Sequence, residues 1–119
     1  MRALPIALLL TAVAAAPASA AECRTAPASA AKCTVKLGDD WYVRDGGPRT
    51  VTVAKGTVVR WRWTGRDDHN VVVRRGPRSF RSDLMDSGTY RKRMRRRGTY
   101  KIICSIHQPD MRMTLKVTA

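Results

Sequence analysis

The sequence is poor in the residues that build most metal centres and active sites. It contains two histidines, three cysteines and nine acidic residues among 119 positions. Two histidines cannot supply two metal centres that each need several imidazole ligands. No segment shows a convincing helical period, which argues against a helical bundle. The chain is therefore expected to be a small β-domain with at most one metal site.

Long apolar segments are confined to the first twenty residues. A positively charged start is followed by an apolar run over residues 3–16 and by the small residues Ala18-Ser19-Ala20. This order is typical of a secretory signal peptide. A lipid anchor on Cys23 is disfavoured, because the large residue Glu22 precedes it. We expect residues 1–20 to be cleaved, no segment to span a membrane, and the protein to be periplasmic, extracellular or held at the cell surface.

Acidic residues are greatly outnumbered, and the net charge is +14. Such a charge attracts anionic partners. The densest basic run, residues 91–97, fits either a solvated strand that resists aggregation or a docking surface for an acidic protein. Export disfavours nucleic acid as a partner, and the nearby Tyr90 and Tyr100 fit core positions better than base stacking. An acidic protein or an anionic cell-surface polymer is the expected partner.

Three cysteines are an odd number for an exported protein, whose cysteines normally pair. Cys23 and Cys33 lie close together in the sequence and are expected to form a disulfide. Closing that short loop would contribute roughly 2–3 kcal/mol. Cys104 would then be free, as a metal-binding thiolate must be. The alternative is that Cys104 pairs with one of the other two cysteines.

Apolar and polar residues alternate with a period of two in most of the chain after residue 50. The predicted strands are Thr50–Val53, Thr57–Trp63, His69–Val73, Thr89–Arg95, Thr99–Cys104 and Met113–Val117. Short strands at this spacing favour an all-β, antiparallel sandwich. We predict an N-terminal extension over residues 21–33 and one domain over residues 34–119, present as a monomer.

Both histidines lie where they could share an ion with Cys104. Cys104 ends a predicted strand, His107 follows after a two-residue spacer, and Met111 lies four residues further on. His69 would reach the same point from a different strand end. A thiolate, two imidazoles and a thioether are the ligands of a mononuclear copper site that carries single electrons. We predict these four residues as the ligands of one copper ion.

Two alternatives bear on this ligand set. Met113 shares the alternation of the last predicted strand and is expected in the core, so Met111 is preferred as the axial ligand. A Cys-x-x-His pair alone could also belong to a zinc site. Zinc usually takes four strong ligands, often with a second cysteine pair, which this chain lacks if Cys23 and Cys33 bond to each other.

From about Thr34 to Ala119 the chain resembles the cupredoxin family, near its plastocyanin, pseudoazurin and amicyanin members. The segments that carry the resemblance are TVTVAKGTVVRWRWTG, DDHNVVV, GTYKIICSIHQPDM and RMTLKV. The resemblance implies an eight-stranded Greek-key β-sandwich with one type 1 copper ion at one end. It also implies that Asn70 braces the ligand loop through side-chain hydrogen bonds.

The resemblance further implies an exported blue copper protein that carries single electrons between redox partners as its copper alternates between Cu(II) and Cu(I). An enzyme is not expected, because copper enzymes of related fold need further histidines for a second copper centre. The alternative is a copper carrier or buffer without redox turnover, which would use the same ligands. A third interpretation is a scaffold that binds anionic surfaces through its charge. An acidic redox protein is the expected partner of the electron carrier.

Overall fold

The computed structural model describes residues 2–8 and 21–119 of the chain. The predicted signal peptide, residues 1–20, lies mostly outside the described residues. The described part contains no helix, and hence none long and apolar enough to cross a membrane. Its strands are β1 Lys32–Gly38, β2 Trp41–Tyr42, β3 Thr50–Ala54, β4 Val58–Trp63, β5 Val72–Arg75, β6 Thr89–Arg93, β7 Gly98–Ile103 and β8 Arg112–Thr118.

The strands form two four-stranded sheets that enclose one hydrophobic core. Sheet A has the order β2-β1-β4-β6, and sheet B has the order β3-β8-β7-β5. The predicted all-β sandwich is confirmed. Strictly antiparallel pairing is wrong, because β1 pairs with β4 and β3 with β8 in parallel. Neither parallel pair is joined by a hairpin. Between the two strands of each pair the chain passes through the other sheet, so the second strand starts at the same end as the first.

The period-two alternation of β4 and β8 determines which side chains form the core. On β4, Val59, Trp61 and Trp63 are buried, while Arg62 between them is exposed. The indole N–H of Trp61 donates to the thioether sulfur of Met113 on β8 at 3.4 Å. Met113 therefore joins the two sheets inside the core, as the alternation of the last strand predicts.

The segment before β1 is attached to the sandwich by covalent and backbone bonds. Cys23 and Cys33 form a disulfide, with their Cα atoms 4.8 Å apart, and Cys104 is free. The N–H of Cys23 also donates to the carbonyl of Thr34 at 2.8 Å. Because β1 begins at Lys32, the regular structure starts two residues before the predicted boundary. The division at residue 34 stays a prediction.

Loops from both sheets meet at one end of the sandwich, which we call the histidine end. Strands β1, β4 and β7 finish there, and β2, β5, β6 and β8 begin there. Its connections are residues 39–40, 64–71 and 104–111, together with residues 81–88, the second part of the connection between β5 and β6. Because these connections come from both sheets, residues far apart in the sequence face one another across this end.

Candidate metal centre

Three of the four predicted ligands come together at the histidine end. Cys104 follows directly after β7, His107 lies in the same connection, and His69 lies three residues before β5. His69 and Cys104 are fully buried, whereas the His107 side chain is 28% exposed. The backbone of His69 is fixed by paired hydrogen bonds with Met85, of 2.9 and 3.0 Å.

The donor atoms of these residues are spaced as ligands of one ion are. The Nδ1 atoms of His69 and His107 face each other at 3.1 Å. The Cys104 sulfur lies 3.3 Å from Nδ1 of His107 and 3.9 Å from Nδ1 of His69. Donors at about 2.0 Å (nitrogen) and 2.3 Å (sulfur) from a shared ion are separated by about 3.3–3.8 Å. The three side chains therefore fit a single metal ion without a large rearrangement.

Met111 is fully buried and belongs to the same closed loop. Its N–H donates to the carbonyl of His107 at 3.1 Å, and its carbonyl accepts from the N–H of Cys104 at 3.1 Å. Both backbone groups of Met111 are thus tied to predicted ligands. Its competitor Met113 has its sulfur engaged by the core indole of Trp61.

Asn70 joins the two loops that carry the site. The side-chain Nδ2 of Asn70 donates to the hydroxyl of Ser105 at 2.8 Å, and the side-chain Oδ1 of Asn70 accepts from the backbone N–H of Ser105 at 2.8 Å. Ser105 directly follows Cys104, and Asn70 directly follows His69. One buried amide therefore connects the neighbours of two predicted ligands.

Two buried aromatic side chains hold the backbone of the His69 loop. The indole N–H of Trp63 donates to the carbonyl of His69 at 3.1 Å, and the Tyr42 hydroxyl donates to the carbonyl of Asn70. Burial raises the pKa of Tyr42 well above its usual range, so its hydroxyl keeps the proton that it donates. Both contacts reduce the freedom of the loop before any ion binds.

The outer nitrogen of His69 is held by a carboxylate. Oδ1 of Asp39 lies 3.0 Å from Nε2 of His69 and also accepts the backbone N–H groups of Arg66 and Asp67, each at 3.0 Å. The hydrogen bond with His69, followed by that from Asp67, lowers the pKa of Asp39 to about 2. A carboxylate on Nε2 leaves Nδ1 as the nitrogen that faces the other donors.

The adjacent Asp40 occupies the corresponding position toward the second histidine. Its Oδ1 lies 3.5 Å from Nε2 of His107, and Asp40 adopts a positive φ of 69° in the turn between β1 and β2. Neither these two aspartates nor Trp63 and Tyr42 were predicted as parts of the site. A Gly-Asp-Asp-Trp segment between alternating stretches was the available indication, but only the folded hairpin brings it to the histidines.

Chemically, the donor set favours copper. A free cysteine and two imidazoles provide soft and borderline donors, which copper accepts. Structural zinc sites use four strong ligands. Among the described residues, no further histidine, cysteine or carboxylate joins the three residues of this cluster. His69, Cys104 and His107 form a candidate site for one copper ion.

Solved structures with the same architecture agree with this interpretation. Amicyanin from Paracoccus versutus is 26% identical, with a TM-score of 0.58; the match covers 83% of this chain and 91% of amicyanin. The protein has the cupredoxin fold. A purple cupredoxin from Nitrosopumilus maritimus is 17% identical, with a TM-score of 0.61 and coverage of 71% and 98%. No protein-family model and no curated protein matches the sequence.

A copper-containing nitrite reductase from Thermus scotoductus SA-01 shares the cupredoxin fold in part. It is 25% identical, with a TM-score of 0.58, and 72% of this chain is covered. This chain spans only 22% of the reductase. The match therefore supports the cupredoxin architecture and says nothing of an enzymatic activity.

Proposed function

We propose that this protein is a cupredoxin in function as well as in fold: an exported type 1 blue copper protein that carries single electrons. Its proposed ligands are His69, Cys104, His107 and Met111. The observation that carries the proposal is the clustering of one free thiol and two imidazoles within 4.8 Å. When bound, copper supplies a one-electron couple between Cu(II) and Cu(I), and a cysteine-histidine site suits both states.

The surroundings of the ligands favour fast electron exchange because they are already ordered. Asp39 orients the ring of His69, and Asn70 ties the loop that carries His69 to Ser105. Trp63 holds the same loop from the core side. Ligands fixed in this way move little when the charge of the ion changes, which keeps the cost of each electron transfer low.

His107 is the proposed exit for the electron. Of the three clustered ligands it alone has an exposed edge. Ile106 next to it is 52% exposed, and Leu84, in another connection of the histidine end, is 51% exposed. Apolar side chains around an exposed histidine allow a redox protein to approach the site with little water between them.

Export and a monomeric state belong to the same proposal. A disulfide between Cys23 and Cys33 is expected in the periplasm or outside the cell, where thiols are oxidised. Cleavage after residue 20 would leave the extension and the β-sandwich as the mature protein.

The first test is a visible spectrum after addition of one equivalent of Cu(II). We expect an intense blue or violet band that ascorbate bleaches and an oxidant restores, because a thiolate bound to Cu(II) absorbs strongly. The companion measurement is electron self-exchange between oxidised and reduced protein. Rapid release of copper to a chelator with no measurable self-exchange would instead identify a copper carrier.

A second test separates the two methionines. Met111→Leu is expected to raise the reduction potential, because loss of the axial thioether destabilises Cu(II) more than Cu(I). Met113→Leu should leave the potential nearly unchanged, but it should lower stability by about 1–3 kcal/mol, since the Trp61 indole loses its buried acceptor. Redox titration and urea unfolding give the two readouts. The opposite pattern of potentials would assign the axial position to Met113.

A further inference from the structure

Acidic and basic side chains are separated in this fold. Seven of the nine acids lie in the connections of the histidine end: Asp39, Asp40, Asp67, Asp68, Asp83, Asp86 and Asp110. The eight strands carry no acid and more than half of the lysines and arginines. The positive charge is thus concentrated on the outer faces of the sheets, away from the metal site.

Few of these cations are neutralised within the protein. In the described part of the chain, the salt bridges from lysine or arginine are those of Arg24 and Lys36, both to Glu22. The remaining cations of the sheets have no carboxylate partner there. A surface that keeps its positive charge unpaired remains available to an external anion.

One basic groove lies on the outer face of sheet A. It has a volume of about 380 Å³, and its charged lining residues are Lys32, Arg60, Arg91 and Arg93. Arg60 and Arg91 stand directly opposite each other on β4 and β6, a like-charge pair that destabilises a sheet. The buried Nε of Arg60 has no hydrogen-bond partner. A bound anion would offset the repulsion between the two guanidinium groups.

A second basic groove lies on the outer face of sheet B. It has a volume of about 520 Å³, and its charged lining residues are Arg49, Arg74, Arg75, Lys101 and Arg112. Arg75 and Lys101 are opposed on β5 and β7, where the pairing is shifted by an irregularity between Val73 and Arg75. No acidic residue lines either groove among the described residues. The two sheets thus present the same arrangement on opposite sides of the sandwich.

We propose that these two grooves bind the phosphate groups of a flexible anionic polymer. The planar guanidinium of arginine matches phosphate oxygens in a bidentate geometry. A polymer can follow the surface from one face to the other. A planar membrane or a rigid acidic protein would reach only one groove at a time. A phosphate-rich cell-surface polymer therefore fits the arrangement better.

The separation of charge also fixes how the bound protein is oriented. The carboxylates around His69 and His107 repel a polyanion, so the polymer is held on the sheets and the histidine end stays free. The protein would be retained at a polyanionic surface while its metal site still meets redox partners. Polymer binding needs no metal, so it can fail or succeed independently of the proposed electron transfer.

The test is titration of the purified protein with linear polyphosphate at several salt concentrations. We expect binding that weakens steeply with salt and is the same with and without copper. Arg60→Gln/Arg91→Gln, in the groove of sheet A, and Arg75→Gln/Lys101→Gln, in that of sheet B, should each weaken binding about tenfold. The charge-matched control is Arg44→Gln/Arg66→Gln, outside both grooves, and should change affinity less than about twofold.

Three results would overturn the proposal. Equal weakening by the control pair would mean that net charge alone attracts the polymer. If only one of the two groove double variants lost affinity, and the protein bound phosphatidylglycerol vesicles as tightly as polyphosphate, the basic surface would face a membrane. Inorganic phosphate that binds as tightly as polyphosphate would exclude a polymer site. Thermal unfolding of each variant shows that the fold is retained.

Discussion

Cys104→Ser is expected to abolish the visible absorption band of the copper-loaded protein. The Cys104 sulfur is fully buried and lies 3.3 Å from Nδ1 of His107. A serine hydroxyl occupies nearly the same space but is a hard donor that keeps its proton at neutral pH, so no thiolate-to-copper transition remains. Affinity for Cu(I) should fall more than affinity for Cu(II), because the soft thiolate favours Cu(I).

The control for this variant removes the other two cysteines and keeps Cys104. Cys23→Ala/Cys33→Ala should keep the full band while it loses roughly 2–3 kcal/mol of stability, since the disulfide lies outside the cluster. Metal analysis of each variant separates a lost chromophore from lost copper. A Cys104→Ser protein with a band of wild-type intensity would show that the thiolate is not a ligand, and the proposed site would be wrong.

Much of the fold could be predicted from alternation alone. Strands β3, β4, β7 and β8 overlap segments whose period-two pattern is visible in the sequence, because each has one face in the core. The proximity of Cys104 and His107 also follows from their spacing. Local patterns therefore identified most of the strands and two of the three clustered residues.

The remaining features depend on contacts between distant segments. Strand β2 has two residues and leaves no periodic pattern, and the parallel pairing of β1 with β4 follows from the path of the chain between the sheets. The bond between Asp39 and His69 joins residues thirty positions apart. It exists only because the turn after β1 packs beside the loop after β4, which no local sequence pattern encodes.

The distribution of charge was equally hidden in the sequence. The run at residues 91–97 indicated a basic surface, but it did not reveal where that surface lies relative to the histidines. In the fold, the run extends along β6 away from the histidine end and into the connection to β7. Attraction of an acidic partner to this run would therefore not by itself bring the partner to His107.

Asp39→Asn is expected to lower Cu(II) affinity by about 10- to 100-fold, the usual cost of losing an outer partner of a metal-binding histidine. The amide can still accept a hydrogen bond from the His69 ring, but it lacks the negative charge 3.0 Å from Nε2. That charge stabilises the more positive ion, so its loss should disfavour Cu(II) relative to Cu(I). A tenfold change in the ratio of the two affinities corresponds to about 59 mV in reduction potential.

Two further variants distinguish the position of the carboxylate from its charge. In Gly65→Ala, the new Cβ would clash with the carboxylate and the backbone nitrogen of Asp39 and must displace that residue, so this variant should also weaken Cu(II) binding although every charge is retained. Asp68→Asn also removes one negative charge, from the residue that precedes His69 in the sequence. The Asp68 side chain, unlike that of Asp39, forms no hydrogen bond among the described residues. It should leave affinity and potential nearly unchanged. If Asp68→Asn matched Asp39→Asn in redox titration and copper competition, the effect would come from general electrostatics, and Asp39 would have no positioning role toward His69.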